Sequence, residues 1–181
     1  MAKLLAALVV LLAPTLALAD EKLWSLLKAG GQVVLIRHTV TTPGAGDPPG
    51  MRLDDCSTQR NLTEAGRTHA RRIGEAFQSR GIPVERVLSS PWCRCLETAE
   101  LAFGKAEVSD ALSNLFGRPQ NREVQVKQIQ LLISSKPTRG NLVLVTHGST
   151  IYALTGVSPG TGEMVLFSGR EVAGRLSVPE S

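Results

Sequence analysis

Three short runs decide what this chain can fold into: QVVLIR at Gln32–Arg37, VERVLS at Val84–Ser89 and NLVLVT at Asn141–Thr146. The first and third are apolar almost throughout, the pattern of strands buried on both faces. Helical patterns separate them. In NLTEAGRTHARRIGEAFQSRG, Leu62, Ala65, Ala70, Ile73, Ala76 and Phe77 recur near helical spacing. Thr63 can cap the start, and Gly81 and Pro83 stop the helix. Ser90-Pro91 predicts a cap and a first-turn proline for a helix from about Pro91 to Phe103. Val124–Ser134 and Ser149–Leu154 have the pattern of two more helices. Met164–Phe167 and Val172–Val178 read as closing strands across a Ser-Gly turn. This alternation predicts an α/β domain of three layers, α/β/α, with a mainly parallel sheet.

The N-terminus has a different grammar. Lys3 precedes an apolar run from Leu4 to Ala13, and Ala17-Leu18-Ala19 supplies the small-x-small pattern of a signal-peptide cleavage site. Residues 1–19 are expected to be an export signal and 20–181 a single domain, with a periplasmic or secreted destination. Pro14 ends the apolar run at about half the ~20 residues a spanning helix needs, so no integral membrane segment is expected after cleavage.

The formal charge of +4 falls to +3 once Lys3 is removed, and aromatic residues make up 4% of the chain. Neither describes a nucleic-acid-binding surface, and no nucleic-acid partner is expected. Three cysteines in an exported protein predict one disulfide and one remaining thiol. Cys93 and Cys95 point in different directions on one helix, which leaves Cys56 to pair with one of them. With His38, His69 and His147 they form no recognised ligand spacing, so neither a metal nor another cofactor is expected. His69, between Arg67 and Arg71-Arg72, reads as part of a solvated helix face, and Trp24 and Trp92 as packing residues.

Ligands of parallel α/β sheets bind at the carboxyl ends of the strands. Arg37-His38 ends the first strand, SSPWCR follows the second, and Thr146-His147-Gly148 ends the third. Two histidines and two arginines therefore meet at one sheet edge, beside the N-termini of two helices, which favour anions. Guanidinium groups match phosphate oxygens. Neutral imidazole is nucleophilic, so His38 can attack phosphorus while Arg37, Arg94 and a cationic His147 stabilise the charge on the equatorial oxygens. TTPGAGDPPG lacks the Lys-Ser/Thr ending of a nucleotide loop and reads as a pocket rim.

VVLIRHT, NLTEAGRTHA, SSPWCRCLETAELA and LVLVTHGSTI, in this order, resemble the histidine phosphatase superfamily. The resemblance spans Gln32 to about Phe167. It implies a phosphoglycerate mutase-like fold, with His38 phosphorylated during turnover and Arg37, Arg94 and His147 as both catalytic and phosphoryl-binding residues. The short segment between the Arg94 helix and the last buried strand is similar to small phosphohistidine phosphatases and implies an open pocket.

The chain has Thr39 where the family usually has glycine, which either narrows the space beside the nucleophile or adds a hydroxyl donor. The acid that protonates the leaving group falls to Asp110 or Glu163. The expected function is hydrolysis of a phosphomonoester or phosphoramidate. The expected substrate is a phosphorylated small molecule, a lipid-linked sugar or a phosphoprotein. A phosphoryl-transferring mutase and a non-catalytic anion-binding module are the alternatives.

Overall fold

The computed structural model describes residues 13–135 and 137–180, with side chains from residue 20 onward. The sheet contains β1 (Val33–Arg37), β2 (Val84–Ser89), β3 (Glu107–Val108), β4 (Asn141–Thr146), β5 (Met164–Ser168) and β6 (Glu171–Leu176), in the order β3-β2-β4-β1-β5-β6. The pairs β1·β4, β2·β4 and β2·β3 are parallel, whereas β5 lies antiparallel to β1 and to β6. Among the described residues the α-helices are α1 (Ala13–Ala29), α2 (Glu64–Ser79), α3 (Cys93–Phe103), α4 (Arg122–Ser134) and α5 (Gly148–Thr155). No helix among the described residues is long and apolar enough to cross a membrane.

Successive strand side chains point to opposite faces, and β1 divides the core accordingly. Val34 and Ile36 join Trp24 and Leu27 of α1, Ile73 and Phe77 of α2, and Trp92, Cys95 and Ala99 at α3. Val33 and Leu35 face Ile129 and Ile133 of α4 and Ile151 of α5 on the other side. Three layers result, each strand of the centre buried twice. Asn141 ties their lower edge together: its amide donates to Leu27 O and Pro83 O and accepts from Gln32 N.

Three local expectations change, and one, the export signal read at residues 1–19, falls largely outside the described residues. Helix α1 runs across its predicted end. Among the described side chains of α1, Leu23, Trp24 and Leu27 are buried. The helix carrying Arg94 starts at Cys93 rather than Pro91, and Trp92 occupies its cap position without a side-chain bond. The Ser90 hydroxyl expected to cap it accepts from Trp92 N at 3.5 Å, but its shorter bond, 2.8 Å, is to His147. A two-residue strand, β3, extends the sheet beyond β2.

The third change concerns His69, which is buried rather than solvated. Its Nε2 lies 2.9 Å from Val178 O, and its ring fills the space beside Gly162, where a Cβ would come within 2.3 Å. Thr63 caps α2 as its sequence predicts, accepting from Gly66 N.

Candidate active site

Arg37 ends β1 in register with Thr146 of the neighbouring β4, so the residues that follow, His38 and His147, leave the sheet side by side. The ladder continues past both strand ends. His38 N donates to Thr146 O at 2.9 Å, and Ser90 N to Val145 O at 2.9 Å. These bonds hold the start of the Arg94 helix against the same edge. Arg37, His38, Arg94 and His147 consequently line one cleft of about 430 Å³, together with Arg60, Asn114, Phe116, Ser149 and the Gly44-Ala45-Gly46 rim.

The His38 ring is buried, with Nδ1 2.9 Å from Thr39 O. A carbonyl only accepts, so Nδ1 carries the proton and Nε2 the free lone pair. Burial, reinforced by the charges of Arg94, Arg37 and Arg60, pushes the imidazole down to about 3, although the bond to Thr39 O acts in the opposite sense. His38 is therefore neutral at neutral pH.

His147 is buried 5.5 Å away, centroid to centroid and edge-on. Its Nδ1 lies 3.4 Å from Arg94 Nη2, which can only donate, and its Nε2 donates to Ser90 Oγ. Burial, then His38, Arg94 and the other two arginines hold it well below the ordinary histidine range. The cationic His147 expected from sequence is thus a neutral imidazole in this site. Cys95 packs against it, Sγ to Nε2 3.5 Å, and burial pushes that thiol up to about 12, which leaves it protonated and unreactive.

Arg37 is fixed from three sides. Its Nη1 donates to Pro159 O at 2.8 Å, its backbone N donates to Glu163 O, and its side chain lies against Gly148, where a Cβ would stand 3.3 Å from Nε. Two further charged residues belong to this neighbourhood and escaped the sequence reading. Arg60, just ahead of the α2 cap, enters the cleft and donates from Nη1 to Thr41 Oγ1.

Asp47, in the rim loop, accepts from Arg94 Nη1 at 2.6 Å and Nη2 at 3.2 Å, from Trp92 Nε1 at 3.0 Å and from Arg60 N at 3.2 Å. Burial acts to raise the Asp47 pKa, but the bonds and charge from Arg94, with those from Arg60 N and Trp92, leave it below the usual carboxylate value. The lone acid in the Gly/Pro loop that follows His38 was the available signal for Asp47. Arg60 had only its place beside the cap.

Other sequence expectations are placed differently. Thr39 is fully buried with its hydroxyl 3.3 Å from Thr98 Oγ1, so it does not line the cleft. Glu163 is bound by Arg175 and Gly160 N, which keep its carboxyl ionised, and Asp110 is exposed in a 3₁₀ turn. Neither lines the cleft. The disulfide joins Cys56 to Cys93, and Cys95 is the free thiol. It clamps the Arg60 segment onto the first turn of the Arg94 helix.

Comparison with known proteins agrees with this fold. Residues 33–115 match the model of the histidine phosphatase superfamily (branch 1). No curated protein sequence matches the chain. Among solved structures, the product of open reading frame Rv3214 from Mycobacterium tuberculosis is 18% identical with a TM-score of 0.63, covering 83% of this chain and 98% of that one. A phosphoserine phosphatase from Entamoeba histolytica, in complex with 3-phosphoglyceric acid, is 14% identical with a TM-score of 0.61, over 82% and 98%. The protein histidine phosphatase SixA, complexed with tungstate, is 18% identical with a TM-score of 0.54, over 81% and 96%. These likenesses establish the shared fold, and the segment that resembles the histidine phosphatase superfamily, residues 33–115, carries Arg37, His38, Arg60 and Arg94.

Proposed function

We propose that the protein is an exported phosphatase that hydrolyses a phosphomonoester or phosphoramidate through a phosphohistidine on His38, without a metal. The observation that carries this reading is the imbalance of charge and donors in the cleft. Three guanidinium groups, Arg37, Arg60 and Arg94, meet two neutral imidazoles and one carboxylate, Asp47. The Nε of each of these arginines is buried without a protein partner among the described residues. A net charge near +2 matches the −1.5 to −2 carried by a phosphate monoester at pH 7, and the buried donors match its oxygens.

In the first step Nε2 of His38 bonds to phosphorus as the bond to the leaving group breaks. The equatorial oxygens accept from the arginines, and the Nδ1–H bond to Thr39 O supports the positive charge that develops on the ring. A bound dianion also raises the affinity of His147 for a proton, so this imidazole becomes a cationic donor only once the substrate is in place. Water then cleaves the phosphohistidine and releases phosphate.

Export is supported by the leader pattern at residues 1–19 and by the Cys56–Cys93 disulfide, a bond that persists in oxidising compartments. SixA's complex with tungstate, a tetrahedral oxyanion, supports the anion-site reading by analogy.

The test is turnover of p-nitrophenyl phosphate in EDTA by wild type and His38→Ala. Wild type is expected to turn over and to trap an acid-labile phosphoenzyme, and His38→Ala to do neither while keeping its circular dichroism spectrum. Phosphate affinity without turnover or phosphoenzyme would instead support the anion-binding module. Glu163 and Asp110 lie away from the cleft, which gives that alternative its one structural support.

A further inference from the structure

A second cavity of about 330 Å³ adjoins the phosphoryl cleft and shares part of its wall, Ala45, Gly46, Asn114 and Phe116. We infer that it is a leaving-group subsite, and that Arg118 within it binds a second anionic group on the substrate. This inference rests on the phosphatase reading of the adjoining cleft.

The partition between the two cavities is built rather than incidental. The Phe116 ring is 59% exposed, an unusual condition for a phenylalanine, and its edge lies where a Cβ on Gly46 would come within 3.2 Å. Gly46 also has φ +75°, so only glycine meets both demands. Asn114 braces the loop from beneath. Its Oδ1 accepts from Phe116 N at 3.0 Å and from Ser149 Oγ at 2.8 Å, which ties the aromatic residue to α5 and hence to His147.

Arg118 is held in place by stacking. Its guanidinium lies 4.9 Å from the Trp92 ring centroid, and Trp92 is itself anchored by Asp47 and packed edge-on against His147. Arg118 makes no ion pair among the described residues, so its forked donors are oriented yet uncompensated. Met51 and Pro48 give the same cavity an apolar side. A planar or apolar leaving group fits between them and Phe116, and a carboxylate or second phosphate on its far end satisfies Arg118. The substrate class is therefore a phosphorylated molecule with a second negative charge separated from the first by an apolar spacer.

Phenyl phosphate, 4-carboxyphenyl phosphate, 1,4-phenylene bisphosphate and 4-(aminomethyl)phenyl phosphate distinguish carboxylate, phosphate and cation at the far position. Wild-type kcat/KM and calorimetric affinities for the His38→Ala protein are measured with each, then repeated with Arg118→Gln and Arg118→Lys. At least one dianionic-spacer ligand is expected to exceed phenyl phosphate by about tenfold or more, with the cationic one weaker. Arg118→Gln should bring that ratio to near one and Arg118→Lys should restore part of it. A wild-type ratio near one, or a tenfold ratio that survives in Arg118→Gln, overturns the subsite while leaving the phosphatase reading intact. Failure of phenyl phosphate itself to bind or react would remove the phosphoryl site and this subsite together.

Discussion

Two neutral imidazoles buried among three guanidinium groups make folding of this protein sensitive to mild acid, and the size of the effect follows from His38. At pH 7.5 the ring is neutral in both folded and unfolded chains. Below about 6.5 the unfolded chain takes up a proton that the folded site refuses until pH approaches 3. More protons are bound in the unfolded state throughout that window, so stability falls as pH falls. The slope is ~1.4 kcal/mol per pH unit, and the loss from His38 alone reaches about 2 kcal/mol by pH 5.

His147, displaced in the same direction, adds to this loss. Against a typical total of ~5–15 kcal/mol the change is easily measured. Urea unfolding at pH 7.5 and 5.0 should show wild type losing more than about 2 kcal/mol, and a His38→Asn/His147→Asn double variant losing far less. Saturating inorganic phosphate should shrink the wild-type loss, because a bound dianion favours the charged imidazoles. If the double variant is as acid-sensitive as wild type, the neutral-histidine account of the site is wrong.

Asp47→Ala strands the buried Arg94 charge and should cost about 3–5 kcal/mol in denaturant unfolding, with part of the loss recovered when phosphate is added. Removing the Cys56–Cys93 bridge, whose ends are 37 residues apart, should destabilise by about 4 kcal/mol on loop-closure grounds. Equal midpoints for wild type and a Cys56→Ser/Cys93→Ser variant would contradict that. Gly66→Ala places a Cβ 2.1 Å from Val40 O, at the loop that leaves the nucleophile. A loss of about 1–3 kcal/mol is expected by thermal or chemical denaturation.

The parts of the site that could be read in the sequence are those set by the sheet. Arg37, His38 and His147 sit on ends of buried strands, and a run such as NLVLVT fixes where such a strand stops to within a residue. Arg94 was legible because SSPWCR follows a strand directly. Asp47 and Arg60 were not, because a Gly/Pro loop has no periodicity, and its course here depends on Trp92 and on the disulfide reaching back to Cys56. His69 was misread from its arginine neighbours. Its spacing to Ile73 and Phe77, four and eight residues on, already placed it on the buried stripe of α2. Ser90 has the composition of a helix cap, but a hydroxyl bonds the stronger local partner, and that partner, His147, is 57 residues away in sequence.

This division between sheet and loop bears on how the protein can vary. His38 and His147 are held by ladder bonds that continue past β1 and β4, so their geometry is shared with the rest of the core. Asp47, Arg60, Phe116 and Arg118 are held by loops, whose clamps include the disulfide, the Asp47–Arg94 pair, the Trp92–Asp47 bond and Asn114. Substitutions at the loop tips can therefore reshape the second cavity, the proposed leaving-group subsite, without moving His38. Substitutions at the clamps disturb both, because Asp47 touches the wall of the second cavity and the guanidinium of the first. Asp47 is accordingly the residue that mechanically joins the two cavities, and on the proposed reading it couples leaving-group choice to phosphoryl binding.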